Sequence, residues 1–279
     1  MPTPVHPQEV PAHRSQQPST QAEQASTDAD GVAAIEVQGL KVGYGEQVVQ
    51  RDLDFAVRRG SVFVIMGGSG CGKSTVMRAL VGLAPPMAGC VRHRGQSLWD
   101  AEPSARETML QRIGVMYQNG ALWSSMTLAE NVALPIEQFT DLGAREIREL
   151  AQLKLALVGL AGFEDHYPAE ISGGMNKRAG VARAMALDPD VMFLDEPSAG
   201  LDPVSSRRLD ELLLALRDAL GMTLVVISHE LASIFAIADD SVFLDAQTHT
   251  MLTTGDPREL REHGGDARVR YFLTRGEGG

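Results

Sequence analysis

Residues 67–74 read GGSGCGKS, a glycine-rich stretch that ends in a lysine and a hydroxyl. It matches the pattern G-x-x-x-x-G-K-[ST], in which glycines let successive backbone N–H groups point at a phosphate. An apolar run at residues 62–66 precedes it and an apolar helical pattern at residues 76–83 follows, the strand–loop–helix context that a phosphate-binding loop requires. We expect nine residues to bind a nucleotide here: Gly67, Gly68, Ser69, Gly70, Cys71, Gly72, Lys73, Ser74 and Thr75.

Two carboxylates, Asp195 and Glu196, follow a second apolar run at residues 191–194. Alone, they could be solvated surface charges. Combined with Lys73, whose ammonium suits the β- and γ-phosphates, they predict hydrolysis of a nucleoside triphosphate. Asp195 and the Ser74 hydroxyl would then hold Mg²⁺, and Glu196 would polarise the attacking water.

A short polar turn, ISGGMNKR at residues 171–178, begins a predicted helix. Ser172, Gly173 and Gly174 could bind an anion through the hydroxyl, the backbone N–H groups and the helix dipole. The next residue is Met175, which neither carries charge nor bonds strongly to phosphate. From these residues alone, the turn is either an anion site or an ordinary capped start of a helix.

The hydrophobic pattern predicts an α/β fold with a mainly parallel sheet. Residues 35–37 and 47–57 are strand-like, and continuous apolar runs at 62–66, 115–117, 191–194 and 224–227 suit strands that are buried on both faces. Between the last two runs, Asp202 would cap a helix that ends before Gly221. Residues 144–160 repeat Ile147, Leu150, Leu153, Leu157 and Leu160 at helical spacing, which predicts a helical insertion over residues 120–172.

Composition narrows the function classes. The chain has 279 residues and a net charge of −11, which argues against a nucleic-acid partner because phosphate contacts need a basic surface. It has no run of 18 apolar residues and its first residues do not resemble a secretory signal, so we expect a cytoplasmic protein. Cys71 and Cys90 are expected to be reduced thiols.

We divide the chain into three parts. Residues 1–33 are predicted to be a disordered tail, because residues 1–31 contain no Leu, Ile, Phe, Trp or Tyr; a partner-binding arm is the alternative. Residues 34–255 would form the nucleotide-binding domain, and residues 256–279 a C-terminal extension.

The order of the motifs resembles the nucleotide-binding subunit of an ATP-binding-cassette (ABC) transporter over residues 35–272. The matching features, in chain order, are Tyr44, GGSGCGKST at 67–75, Gln118, SGG at 172–174, VMFLDE at 191–196, SAGLD at 198–202 and His229. The resemblance implies a P-loop ATPase with an N-terminal antiparallel β-subdomain and a helical insertion subdomain. It also implies a head-to-tail dimer, in which each ATP lies between one copy's phosphate loop and the other copy's SGG turn.

The same resemblance implies roles for single residues. Tyr44 would stack on adenine, Gln118 would contact Mg²⁺ or the attacking water, and His229 would bond the γ-phosphate and hold the water against Glu196. Asp202 would bridge the two subunits. Ser172, Gly173 and Gly174 would hold the partner's phosphate without the side chain at position 175, where the family usually has Gln and this chain has Met.

One branch of the family is especially similar. YQNGALWSSMTLAENVALP, the SGGM turn and GDPRELREHGGDARVRYFL resemble the ATPase of MCE-type lipid transporters, including the maintenance-of-lipid-asymmetry system. The resemblance implies a position on the inner face of the inner membrane, a permease, an MCE lipid-binding protein, possibly a STAS-domain subunit, and phospholipid cargo. Trp123, Met126 and Leu128 would contact the permease, unless they pack inside the insertion.

Two alternatives remain open from the sequence. One is the ATPase of another ABC importer or of a solvent-resistance exporter, with a different cargo. The other is a non-transport ABC protein of DNA repair or translation, although such proteins usually carry a long coiled-coil insertion or two cassettes, and this chain shows neither pattern.

Overall fold

The computed structural model describes residue 1, residues 32–118 and residues 120–274. The predicted tail therefore lies almost entirely outside the described residues. Residues 32–274 contain two β-sheets with helices packed around them. Among the described residues, none of the helices is both long and apolar enough to cross a membrane.

The first sheet is antiparallel and contains four strands in the order β2-β1-β4-β5. These are β1 (Ile35–Tyr44), β2 (Gln47–Val57), β4 (Ala88–His93) and β5 (Gln96–Ser97). The sequence pattern indicated β1 and β2 but not β4 or β5. The chain between β1 and β2 turns at Gly45, whose positive φ of 56° is a conformation that favours glycine.

The second sheet has the strand order β10-β9-β3-β8-β7-β6, and every neighbouring pair except β9 and β10 is parallel. Its strands are β3 (Val62–Gly67), β6 (Ile113–Met116), β7 (Val191–Asp195), β8 (Thr223–Ser228), β9 (Asp240–Asp245) and β10 (Thr250–Thr254). The predicted α/β fold with an antiparallel N-terminal sheet is confirmed. Because β3, β7 and β8 run the same way, their carboxyl ends meet at one edge of the sheet.

Nine α-helices surround the sheets within the described part of the chain, and a 3₁₀ turn at Pro168–Glu170 precedes the fifth. They are α1 (Lys73–Leu80), α2 (Pro103–Gln111), α3 (Leu128–Phe139), α4 (Ala144–Leu157), α5 (Gly173–Ala184), α6 (Pro203–Leu220), α7 (Leu231–Ile237), α8 (Pro257–His263) and α9 (Ala267–Thr274). Asp202 caps α6, since its carboxylate accepts from the N–H groups of Val204 and Ser205 at 3.0 Å.

The parallel sheet has a hydrophobic core on each face. Val64 and Val226 belong to the core shared with α3 to α7, whereas Phe63 and Ile65 belong to the core shared with α1 and the antiparallel sheet. Burial on both faces explains why these strands are continuously apolar in the sequence. Helix α9 joins the first of these cores through the ring of Phe272, which packs edge-on against Phe243 at 5.1 Å.

The buried face of α4 matches the predicted apolar series only in part. Ala151 and Leu155 are fully buried, while Leu153 is 54 % exposed. The buried face also contains Lys154, whose ammonium bonds the carboxylate of Asp188. Because that ion pair neutralises the lysine charge, the aliphatic stem can pack inward and a leucine is left at the surface.

The three apolar residues considered for contact with a permease differ in their exposure to solvent. Trp123 is 58 % exposed and Met126 is half-buried, but Leu128 is completely buried, which agrees with the alternative that it packs inside the insertion. Thr127 and Glu130 form a capping box that starts α3 at Leu128 and directs this side chain into the core.

Asp210 on α6 gives a prediction about stability. Burial raises the pKa of this carboxyl from its ordinary 3.8 to about 6, against the hydrogen bond that it accepts from Ser233 at 2.7 Å. The folded state therefore keeps a proton that the unfolded chain has already lost, and stability falls as the pH rises from 4 to 6.

Asp210→Asn should remove this loss, because the amide stays neutral and can still accept from Ser233. Its free energy of unfolding relative to the natural chain should rise by about 2 kcal/mol between pH 4 and pH 7, after allowance for solvent screening. Urea unfolding at a series of pH values measures this difference. A difference that does not change with pH would contradict the prediction.

Candidate functional site

The loop between β3 and α1 depends on its glycines. Gly67, Gly70 and Gly72 have φ values of 152°, 75° and 98°, which side-chain-bearing residues rarely adopt. A Cβ on Gly67 would lie 2.4 Å from the carbonyl oxygen of Leu244. The loop can therefore curl against β9 and turn its N–H groups inward only with these glycines.

Lys73, at the first position of α1, folds back across the loop. Its buried ammonium donates to the carbonyl oxygens of Gly67 and Gly68, both at 3.0 Å. The positive charge is thereby held beside the loop's N–H groups, where the outer phosphates of a nucleotide would lie.

A hydroxyl and a carboxylate meet next to this lysine. The Ser74 hydroxyl donates to Oδ2 of Asp195 at 3.4 Å, which places two oxygen ligands from α1 and β7 together. Burial and the neighbouring charge of Glu196 raise the pKa of Asp195. Among the described residues, no cluster of three or more His, Cys, Asp or Glu could hold a metal. This sparse oxygen pair suits Mg²⁺, which takes one or two protein ligands together with substrate phosphates.

Glu196 follows β7 in a left-handed conformation, with φ of 48°. Its carboxylate is nearly buried, and Oε1 lies 2.6 Å from Nδ1 of His229, which follows β8. Oε2 is also buried and has no hydrogen-bond partner among the described residues. A buried carboxylate oxygen without a donor is a strong acceptor for a water molecule.

Tyr44 stands at the rim of the same site. Its hydroxyl lies 3.2 Å from the Thr75 hydroxyl and accepts from the guanidinium of Arg78 at 2.9 Å, while the ring stays half-exposed. The resulting cavity measures about 500 Å³ and contains most of the predicted residues. Its lining is Tyr44, Gln47, Val49, Ser69, Gly70, Gly72, Lys73, Ser74, Thr75, Gln118, Asp195, Glu196 and His229.

Several residues of this region were not predicted from the sequence. Gln47 and Val49 line the cavity from β2, and Arg78 holds Tyr44. Lys177 on α5 is buried, and its ammonium donates to the carbonyl oxygens of Gln118 and, at 3.4 Å, Glu196. Burial lowers the pKa of this lysine. A lysine on the core-facing side of a helix was the only sequence signal for it.

Comparison with known proteins decides the family. The family model described as "ABC transporter" matches residues 50–199, more than half of the chain. The chain belongs to the ABC transporter family. The predicted ABC family membership is therefore confirmed.

Named ABC relatives align over most of the chain. It is 36 % identical to the intermembrane phospholipid transport system ATP-binding protein MlaF of Haemophilus influenzae, over 86 % of this chain and 89 % of that protein. It is 34 % identical to MlaF of Escherichia coli K12, with 86 % and 88 % covered. It is also 36 % identical to the probable ribonucleotide transport ATP-binding protein mkl of Mycobacterium tuberculosis, of which it spans only 66 %.

Solved ABC structures agree with the fold. CbiO1 from Clostridium perfringens superposes with a TM-score of 0.76 at 24 % identity, over 83 % of this chain and 92 % of that one. A dimeric ATP-binding cassette in a post-hydrolysis state, bound to ADP and phosphate, superposes with a TM-score of 0.71 at 25 % identity. That match covers 80 % of this chain and 98 % of the other. The ligands of ABC cassettes, ATP and Mg²⁺, fit the loop and the oxygen pair described above.

The predicted SGG turn of this ABC chain lies outside its own nucleotide cavity. Ser172 and Gly173 are exposed at the start of α5, and Ser172 lines a different groove together with Gly174 and Met175. Asp202, at the start of α6, is also outside the nucleotide cavity. Within one chain, the structure therefore brings together Tyr44, the loop, Gln118, Asp195, Glu196 and His229, but not the residues of the turn.

Met175 contributes to the turn through its backbone N–H group. Its N–H donates to the Ser172 hydroxyl at 3.3 Å, and its half-buried side chain packs against the core. Met175→Gln keeps the N–H group, so ATP hydrolysis by the assembled transporter should stay within about twofold of the natural rate, a barrier change below about 0.5 kcal/mol. The matched variant Ser172→Ala removes the hydroxyl and should reduce the rate at least about tenfold. Equal losses in both would contradict this assignment.

Proposed function

We propose that this chain is the ATP-hydrolysing subunit of an ABC transporter and that it works as a head-to-tail dimer on a membrane permease. The hydrolytic role is supported chiefly by the surroundings of the Glu196 carboxylate. Its Oε1 is bonded to His229, and its buried Oε2 has no partner among the described residues. This carboxylate lies in the same cavity as Lys73 and the Ser74–Asp195 oxygen pair.

Each residue of the cavity contributes one part of the reaction. Tyr44 offers a flat ring for the adenine, the N–H groups of the loop and Lys73 hold the phosphates, and Glu196 orients a water for attack. As the water oxygen bonds to the γ-phosphorus, the bond from that phosphorus to the ADP oxygen breaks, and Oε2 of Glu196 accepts a proton from the water.

Four residues would hold the water and the metal in place. His229 fixes the Glu196 carboxylate through the 2.6 Å contact. Ser74 and Asp195, with Gln118 nearby, would hold Mg²⁺, which neutralises phosphate charge when bound.

A second copy would supply an anion contact that the chain's own cavity lacks. Ser172, Gly173 and Gly174 form a helix N-terminus that lies outside their own cavity, and such a terminus binds anions. A head-to-tail dimer would place this turn against the γ-phosphate in the partner's cavity, with Asp202 at the seam. The dimeric ABC cassette that superposes on this chain supports the arrangement.

An apolar groove is a suitable binding site for a permease. It lies between α2, β6, α3 and α5, measures about 600 Å³ and is largely apolar. The apolar residues that line it include Leu110, Val115, Leu134, Pro135, Phe139 and Leu187. Such a groove could accept a short amphipathic helix from a membrane protein, which would hold this chain on the inner face of the inner membrane.

The relatives support phospholipid as the cargo. Both MlaF proteins named for intermembrane phospholipid transport align over nearly nine-tenths of their length. On this basis the chain would work with an MCE lipid-binding protein and possibly a STAS-domain subunit, between the inner and outer membranes. The mycobacterial relative, named for ribonucleotide transport, makes a ribonucleotide the second candidate cargo.

Purification of the transporter through a tag on this chain distinguishes the two cargoes. We expect co-purified phospholipid, together with the permease and an MCE protein, and stimulation of ATP hydrolysis by phospholipid. If ribonucleotides other than ATP stimulate ATP hydrolysis and no lipid is retained, the phospholipid assignment is rejected in favour of the second cargo.

Glu196→Gln tests the hydrolytic role. The amide keeps the shape of the side chain but cannot act as a base that takes a proton from water. Turnover should therefore fall at least about a hundredfold while MgATP still binds. Hydrolysis is measured as phosphate release, and dimer formation with ATP by light scattering. Lys73→Ala is the contrasting variant and should lose ATP binding itself. A Glu196→Gln chain that stays monomeric with ATP, even when bound to its permease, would refute the proposed dimer.

A further inference from the structure

Gln50 is a completely buried polar residue that the mechanism above does not use. It lies in β2, opposite Val42 of β1, at a position where the neighbouring core residues of this sheet are apolar. Its Oε1 is buried and has no hydrogen-bond partner among the described residues. An amide that leaves one buried oxygen unsatisfied lowers stability, so its presence in the core calls for a compensating interaction.

The amide nitrogen supplies that interaction. Nε2 donates to the carbonyl oxygen of Cys71 at 2.7 Å and to the carbonyl oxygen of Asp245 at 2.9 Å. Two carbonyl acceptors on one side settle which end of the amide is nitrogen. Gln50 therefore connects the phosphate loop to the end of β9.

The end of β9 is itself held firmly. The Asp245 carboxylate accepts from the Thr248 N–H and hydroxyl, both at 2.8 Å, and from the guanidinium of Arg268 on α9 at 2.9 Å. The backbone carbonyl of Asp245 is therefore held in place. Because Gln50 bonds both this carbonyl and the carbonyl of Cys71, it also holds the Cys71 carbonyl in place.

The position of the Cys71 carbonyl determines the direction of an N–H group in the loop. The Cys71–Gly72 peptide is trans, so its C=O and N–H point in opposite directions. With the carbonyl turned toward Gln50 in the core, the Gly72 N–H points away from the core. Gly72 lines the nucleotide cavity, and its φ of 98° allows this peptide to rotate more easily than it would beside another residue.

We propose that Gln50 is a positioning residue for nucleotide binding: its buried amide fixes the Cys71–Gly72 peptide so that the Gly72 N–H faces the phosphates. This inference rests on the proposed function, because it assumes that the loop binds ATP. Gln50 itself does not touch the nucleotide.

Gln50→Met tests the proposal, since methionine has a similar length and shape but no donor. The dissociation constant of the full chain for a non-hydrolysable ATP analogue with Mg²⁺, measured by calorimetry, should rise about tenfold, the loss expected for one to two hydrogen bonds. In the assembled transporter, KM for ATP should rise similarly while kcat changes less than about twofold. Gln50→Asn, shorter by one CH₂ group, should bind with intermediate affinity and provides the test if Gln50→Met does not fold.

Asn131→Leu is the matched control. Asn131 is also completely buried, and its amide donates to the carbonyl oxygens of Trp123, Met126 and Thr127 in the helical region. This variant should lower the melting temperature but leave the dissociation constant for the analogue unchanged, which separates lost stability from lost positioning.

Two results would overturn the proposal. If the natural chain binds the analogue and the folded Gln50 variants bind it equally well, Gln50 does not position the loop, and the proposed ATPase function stands. If the natural chain itself binds no analogue, both the ATPase function and the role of Gln50 are rejected.

Discussion

The shared direction of strands β3, β7 and β8 is the constraint on which the nucleotide site depends. In-register parallel pairing brings three strand ends to one edge of the sheet, although the residues there are far apart in the chain. The phosphate loop, the Asp195–Glu196 pair and His229 each follow one of these ends. Because the strands are buried on both faces, the positions of these groups are set by the rigid core.

The second constraint is the direction of α5. Ser172, Gly173 and Gly174 at its start lie outside the cavity of their own chain, while Lys177, further along, bonds the carbonyl oxygens of Gln118 and Glu196, which line that cavity. One helix thus contacts residues of its own cavity, while its N-terminus lies outside that cavity. In the proposed dimer, each α5 would contact both ATP sites, so a movement of α5 at one site would also change the contacts at the other.

Polar side chains fix the conformation of segments in and near the site. Gln50 bonds the phosphate loop, Lys177 bonds the chain at Gln118, and the capping box of Thr127 and Glu130 begins the helical region. Each bonds backbone atoms of a segment that lacks regular secondary structure or has just left it. Such contacts stabilise a particular loop conformation, which apolar packing alone does not select.

The sequence by itself determined the family and four strands of the parallel sheet and predicted the nucleotide pocket, because these depend on local patterns. Glycine, lysine and serine spacing specifies a loop that curls around phosphate, and apolar runs specify strands covered on both sides. Asp202 and Gly221 likewise identified the ends of α6 through capping chemistry that acts within a few residues.

Only the tertiary structure decided which side chains meet across long distances in the chain. Gln50 reaches Asp245 across 195 positions, and Lys177 reaches Gln118 across 59, and neither pairing leaves a local pattern. The buried face of α4 also matched its leucine spacing only in part, because Lys154 gains an ion partner in Asp188 that only folding brings near. A periodic pattern shows which residues share a face, but partners elsewhere in the fold decide which face is buried.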